Sequence, residues 1–103
     1  MSEPDTQNTT AERPALPPAT FTFLVLSLRA QVEMHLGLVT FGQEKAEPDM
    51  DLARHSIDMM GILAEKTKGN LNLEEQRLLE NSLTELRFRF VQVSAEVAQA
   101  AKA

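Results

Sequence analysis

The stretch TFTFLVLSLRAQVEMHLGLV, from Thr20 to Val39, limits what this chain can fold into more than any other part of it. Its first residues alternate in part like a strand, but the RAQVEMHL that follows consists mainly of helix-forming residues. We therefore expect one helix over about 20–40. The longest apolar run in it, FLVL, is far shorter than the ~20 residues that a membrane-spanning helix requires. The sequence thus predicts no membrane partner.

Apolar side chains occupy two nearly opposite sides of this first helix when residues are placed at about 100° intervals. The first stripe consists of Phe21, Leu24, Val25, Leu28, Val32, Leu36 and Val39. The second stripe consists of Phe23, Leu26, Ala30, Met34 and Leu38. Polar residues separate them, and each large side chain left in water would forgo about 1.5–3 kcal/mol.

One chain of this size has few elements with which to cover both stripes. We therefore predict a homo-oligomer, with a homodimer as the commonest symmetric form, in which the second stripe is the oligomer interface. The alternative is a flat array in which the third helix of the same chain covers the second stripe.

The rest of the chain predicts two more helices and one domain. A second helix is expected over about 48–68, with Pro48 in its first turn, and a third over about 73–98. Between them, Gly69 suits a left-handed helix cap, and Asn72 with Glu75 forms a capping-box pattern. The sequence thus predicts an all-α three-helix hairpin or bundle over 20–98, after a disordered proline-rich leader over 1–19 and before a fraying tail over 99–103.

The third helix carries apolar residues at alternating steps of four and three, which is heptad spacing. This seam consists of Leu79, Leu83, Leu86, Phe90, Val93 and Val97. The pattern fits packing against helices of the same chain and a coiled-coil contact with a second copy equally well.

Composition argues against several classes of function. A net charge of -5 in 103 residues disfavours nucleic acid as a partner, because phosphate binding needs clustered Lys and Arg. Cysteine is absent, which excludes disulfides and thiol catalysis. Glycines are scattered singly and serines lack a neighbouring base, so we expect no enzyme and no cofactor. Acidic residues near Met1, where a secretory signal would be basic, predict a cytoplasmic protein.

A polar cluster on the second helix is the one candidate for a metal site. Asp51, His55 and Asp58 are spaced by four and three residues and so share one helical face. A solvated polar face explains them more simply, and metal binding is the less favoured alternative. His35 is expected to be a packed or hydrogen-bonded histidine and not a general base. Phe88 in LRFRF lies off the seam and fits either a contact with another protein or an ordinary exposed aromatic side chain.

The motifs HLGLV and DLARHSIDMMGILAEKTKGNLNLEEQRLLENSLTELRFRFV resemble the bacterial domain-of-unknown-function family 1844 over about residues 21–92. The combination of KTKGNL with the downstream EE spacing is the most specific part. The resemblance implies a small all-helical protein. It implies no activity, cofactor or catalytic residue, so the prediction from the sequence is an uncharacterised structural or interaction protein.

Overall fold

A computed structural model describes residues 15–38 and 47–102, and within these ranges the chain consists of three helices and no strand. They are α1 (Phe21–His35), α2 (Met50–Lys66) and α3 (Leu73–Lys102). The predicted all-α class is therefore confirmed. Residues 1–14 of the predicted leader lie outside the described residues.

Each helix packs against the other two. Arg29 of α1 contacts Ser82 and Glu85 of α3, and the end of α1 lies beside Val93, so α1 and α3 run in the same direction. The start of α2 faces the second half of α3, and its end faces the first turns of α3, so α2 runs antiparallel to both. At 30 residues, α3 is twice as long as the 15-residue α1, and its last turns extend past the other helices.

The core lies where the three helices meet and is formed by ten fully buried apolar residues. They are Val25, Val32, Leu36, Ala53, Ile57, Met60, Leu79, Leu83, Leu86 and Val93. The first stripe of α1 supplies three of them, as predicted. Leu24 was expected in that stripe but is 43% exposed. Val39 lies outside the described residues.

A glycine cap ends α1. Gly37 has a φ of 78°, its amide donates to the Met34 carbonyl at 3.0 Å, and the Leu38 amide donates to the Glu33 carbonyl at 2.9 Å. These two bonds form a Schellman motif, which ends a helix in a left-handed residue. The helix therefore ends at His35, five residues earlier than predicted, and Leu38 is held in place by the cap.

The turn between α2 and α3 has the predicted chemistry. Gly69 adopts a φ of 85°, which favours glycine. The Glu75 amide donates to Asn72 Oδ1 at 2.8 Å, and the Asn72 amide donates to Glu75 Oε1 at 3.0 Å. The capping box is therefore confirmed.

The other helix bounds differ by a few residues from those predicted from the sequence. The cap of α2 is Asp49, whose side chain accepts a 3.1 Å bond from the Leu52 amide, so Pro48 precedes the helix instead of lying in its first turn. At the other end, α3 continues to Lys102, past the predicted limit of 98.

Candidate interaction surface

The second stripe of α1 faces away from the core. We refer to Phe23, Leu26, Ala30 and Met34, together with Leu38 just beyond the last turn, as the outer face of α1. The exposed fractions are 42% for Phe23, 46% for Leu26, 38% for Met34 and 40% for Leu38. With these exposures, α3 of the same chain does not cover this face. The flat array considered from the sequence is therefore wrong for the single chain.

The outer face of α1 carries no charged side chain. The formally charged residues in α1 are Arg29 and Glu33, and both lie on the flank toward α3. By contrast, the exposed side of α2 mixes large apolar side chains with charged ones: Leu52, Met59 and Ile62 lie among Arg54, Asp58 and Glu65. Depletion of charge from the centre of an exposed apolar patch is typical of protein interfaces.

Arg29 links α1 to α3, and its charge pairs with two carboxylates of the same chain. Its Nη2 donates to Glu85 Oε1 at 2.7 Å, its Nε donates to Glu33 Oε2 at 3.2 Å, and its Nη1 donates to Ser82 Oγ at 3.4 Å. Partial burial acts to lower the pKa of Arg29, but the hydrogen bonds to Glu85 and Glu33 outweigh it and raise the pKa. These contacts orient α1 with its uncharged face outward.

Ser82 is the buried polar residue of this contact, with no exposed surface. The sequence did not reveal the link, because Arg29 and Glu85 are 56 residues apart. In the sequence, Arg29 and Glu33 are recognisable as an i,i+4 pair, but that spacing says nothing about a third partner on another helix.

A groove opens where α1 ends and α3 continues. We call it the terminal groove; its volume is about 630 Å³. Most of its lining is apolar, and two carboxylates complete it: Leu36, Gly37, Leu38, Pro48, Val93, Val97, Ala100 and Ala101, with Glu47 and Glu96. Leu38 belongs both to this groove and to the outer face of α1, so the two apolar surfaces are continuous. The sequence assigned Val97 to the seam and did not predict the groove.

Most of the heptad seam of α3 packs against the other helices of the same chain. Leu79, Leu83, Leu86 and Val93 are buried, and Phe90 is partly buried against them. Val97 is 40% exposed. A coiled-coil contact with a second copy along this whole seam is therefore excluded, and only its last residue is free for another contact.

The structure does not bring the residues of the predicted polar cluster together as a set of metal ligands. Asp51, His55 and Asp58 are all exposed, and within residues 15–38 and 47–102 no group of three or more His, Asp or Glu side chains is arranged to hold a metal ion. His35 is half-buried, and Phe88 is 61% exposed on the outside of α3. No helix in the described part of the chain is long and apolar enough to cross a membrane.

Comparison with family models matches residues 18–92 to the family described as Domain of unknown function (DUF1844). This chain belongs to the DUF1844 family. The resemblance predicted from the sequence is thus confirmed. Comparison with curated proteins finds no match, and comparison with solved structures finds none either. The DUF1844 match includes the outer face of α1, all of α2 and the capping box, and it ends before Val93.

Proposed function

We propose that this DUF1844 chain is a small interaction protein without catalytic activity, which assembles as a homodimer through the outer face of α1. The observation that carries the proposal is the row of four large apolar side chains, each about 40% exposed, on a helical face without charge. The cytoplasmic location predicted from the sequence belongs to the same proposal.

The chemistry of the outer face of α1 favours a second copy over a different protein. A two-fold interface brings the same surface of both subunits together, so that surface must be complementary to itself. A charged patch would repel its own copy, whereas an uncharged apolar face does not. Docking of a different protein is the competing outcome, and it would leave the purified chain monomeric.

The exposed area supports a dimer of moderate strength. Complete burial of a large apolar side chain contributes about 1.5–3 kcal/mol, so burying the remaining exposed part of Phe23, Leu26, Met34 and Leu38 contributes about 1 kcal/mol each. Two subunits double this gain. It is then comparable with the ~4–15 kcal/mol that association costs. The outer face of α1 alone therefore supports weak, reversible association at most.

Sedimentation velocity of the full chain over a wide concentration range tests the proposal. We expect the wild-type mass to be twice the 11.5 kDa of one chain. Leu26→Asp and Met34→Asp should each yield monomers that retain their helical circular dichroism, because both side chains are more than a third exposed in the single chain.

The matched control is Ile62→Asp, which places the same charge on α2 at a side chain that is 58% exposed. This variant should remain dimeric. A wild-type chain that stays monomeric at every concentration refutes the proposal, as does a Leu26→Asp variant that dimerises like the wild type.

A further inference from the structure

The outer face of α1 is arranged symmetrically about its smallest member. Ala30 lies in the middle, Leu26 and Met34 each lie four residues from it, and Phe23 and Leu38 lie seven and eight residues from it on opposite sides. The large side chains thus form two pairs at nearly equal distances from a small central residue.

This symmetry favours one way of pairing two copies. When two helices cross antiparallel about a two-fold axis, residues at equal distances from the axis meet across it. With the axis at Ala30, Leu26 contacts Met34 of the other copy, and Phe23 reaches Leu38 of the other copy. The small side chain at the crossing point allows the two helices to approach closely, since interaxial distance depends on the side chains there.

Leu38 stands at the edge of the terminal groove, where the Schellman motif at Gly37 holds it. We propose that Phe23 of each subunit inserts into the terminal groove of the other, between Leu38 and Val97. This inference rests on the proposed function, and it assigns an occupant to a groove that residues 15–38 and 47–102 leave open.

The size of the interface supports the insertion. The 15 residues of α1 form a strip about 22 Å long and about 10 Å wide. A strip of that size is small beside the ~800 Å² that each partner buries in a standard stable interface. The terminal groove extends the contact from α1 onto Val97 and Ala101 of α3, so the insertion enlarges the buried area beyond that of α1 alone.

A parallel pair of α1 helices would bring Phe23 against Phe23 and leave both terminal grooves empty. Disulfide trapping distinguishes the two arrangements, because the chain contains no cysteine and any introduced thiol is unique. On the antiparallel axis, Ala30→Cys should oxidise to a covalent dimer. Phe23→Cys should not link to itself, because the two copies would be about 20 Å apart, far beyond the ~7 Å between Cα atoms that a disulfide can span.

An equimolar mixture of Phe23→Cys and Leu38→Cys chains should form a mixed covalent dimer under the same conditions. Each variant oxidised alone should form no covalent dimer. Self-linking of Phe23→Cys, or absence of the mixed product while Ala30→Cys links, overturns the insertion.

Substitutions that place a charge in the terminal groove test whether the groove takes part in the dimer. Val97→Asp should weaken the dimer at least tenfold, and Ala101→Asp, at an exposed site near the end of α3, should weaken it without affecting the core. Val91→Asp is the matched control, because Val91 is the same residue type on the same helix and is 64% exposed away from the groove. It should leave the dissociation constant unchanged.

The two proposals fail in different ways. A wild-type chain that is monomeric overturns the proposed function and this inference with it. A dimer that is broken by Leu26→Asp but unaffected by both Val97→Asp and Ala101→Asp keeps the proposed function and overturns the insertion alone.

Discussion

Replacing Arg29 by Met should destabilise the chain by removing the polar link between α1 and α3 while keeping most of the side-chain volume. Three contacts are lost at once. The ion pair with Glu33 contributes about 0.3–0.5 kcal/mol and the partly exposed pair with Glu85 about 0.2–1 kcal/mol. The third contact, to the hydroxyl of Ser82, matters more because that residue is fully buried.

A buried hydroxyl that loses its partner costs about 1–3 kcal/mol. The lower end applies to Ser82, because a serine hydroxyl in a helix can turn toward the carbonyl one turn back. We therefore expect Arg29→Met to lower the free energy of unfolding by about 2 kcal/mol in total. For a domain of this size such a loss lowers Tm by about 10 °C.

Urea denaturation at one fixed chain concentration measures this loss, since association would otherwise change the apparent stability. Arg89→Met is the control, because Arg89 is exposed on α3 and its replacement should cost less than about 0.5 kcal/mol. In a Ser82→Ala background, Arg29→Met should cost only about 1 kcal/mol, because no hydroxyl is left without a partner. Equal costs for the two arginine variants, or an undiminished cost in that background, would refute the reasoning.

The raised pKa of Arg29 predicts how this contribution depends on pH. A cation whose pKa is higher in the folded state stabilises the fold fully below its unfolded pKa and loses that contribution as pH rises through the folded value. Arginine is charged at all ordinary pH values. The difference between wild type and Arg29→Met should therefore stay constant from neutral to moderately alkaline pH, and a decline over that range would contradict the assignment.

Three further substitutions test the local structure by thermal or urea unfolding. Gly61→Ala should raise stability by up to about 1 kcal/mol through helix propensity, because the added Cβ meets only the mobile Nη2 of Arg87 at 3.3 Å; a loss would show that this guanidinium cannot move. Gly69→Ala should cost about 1 kcal/mol because its φ of 85° is strained for alanine although space is open; an unchanged midpoint would argue against the left-handed turn. Asn72→Ala should cost about 1 kcal/mol by removing the cap that the Glu75 amide uses, and a neutral result would mean that water replaces it.

The parts of the fold that could be predicted from the sequence are those governed by local chemistry. The glycine at 69 and the capping box at Asn72 depend on residues within one turn of each other, so their types and spacing were sufficient. The seam from Leu79 to Val93 was visible as a periodicity, but its partner was not. Heptad spacing is the same whether the facing helix belongs to the same chain or to another.

The features that sequence reasoning missed depend on tertiary geometry. The end of α1 at His35 could have been found, because Gly37 is a strong helix-ending signal, but the apolar residues after it favoured a longer helix. The contact of Arg29 with Ser82 depends on how α1 is oriented about its own axis relative to α3. The apolar periodicity does not specify that orientation. The terminal groove requires the difference in length between α1 and α3, and that difference was underestimated when α3 was expected to fray after residue 98.

The wall of the terminal groove on α3 begins at Val93, and the family match stops at residue 92. Val93 also belongs to the core, whereas Val97, Ala100 and Ala101 belong to the groove wall alone. In the proposed dimer, substitutions at these three positions would tighten or loosen the pair without disturbing the core. The C-terminal turns would then set the strength of the contact, while the buried residues keep the three-helix architecture constant.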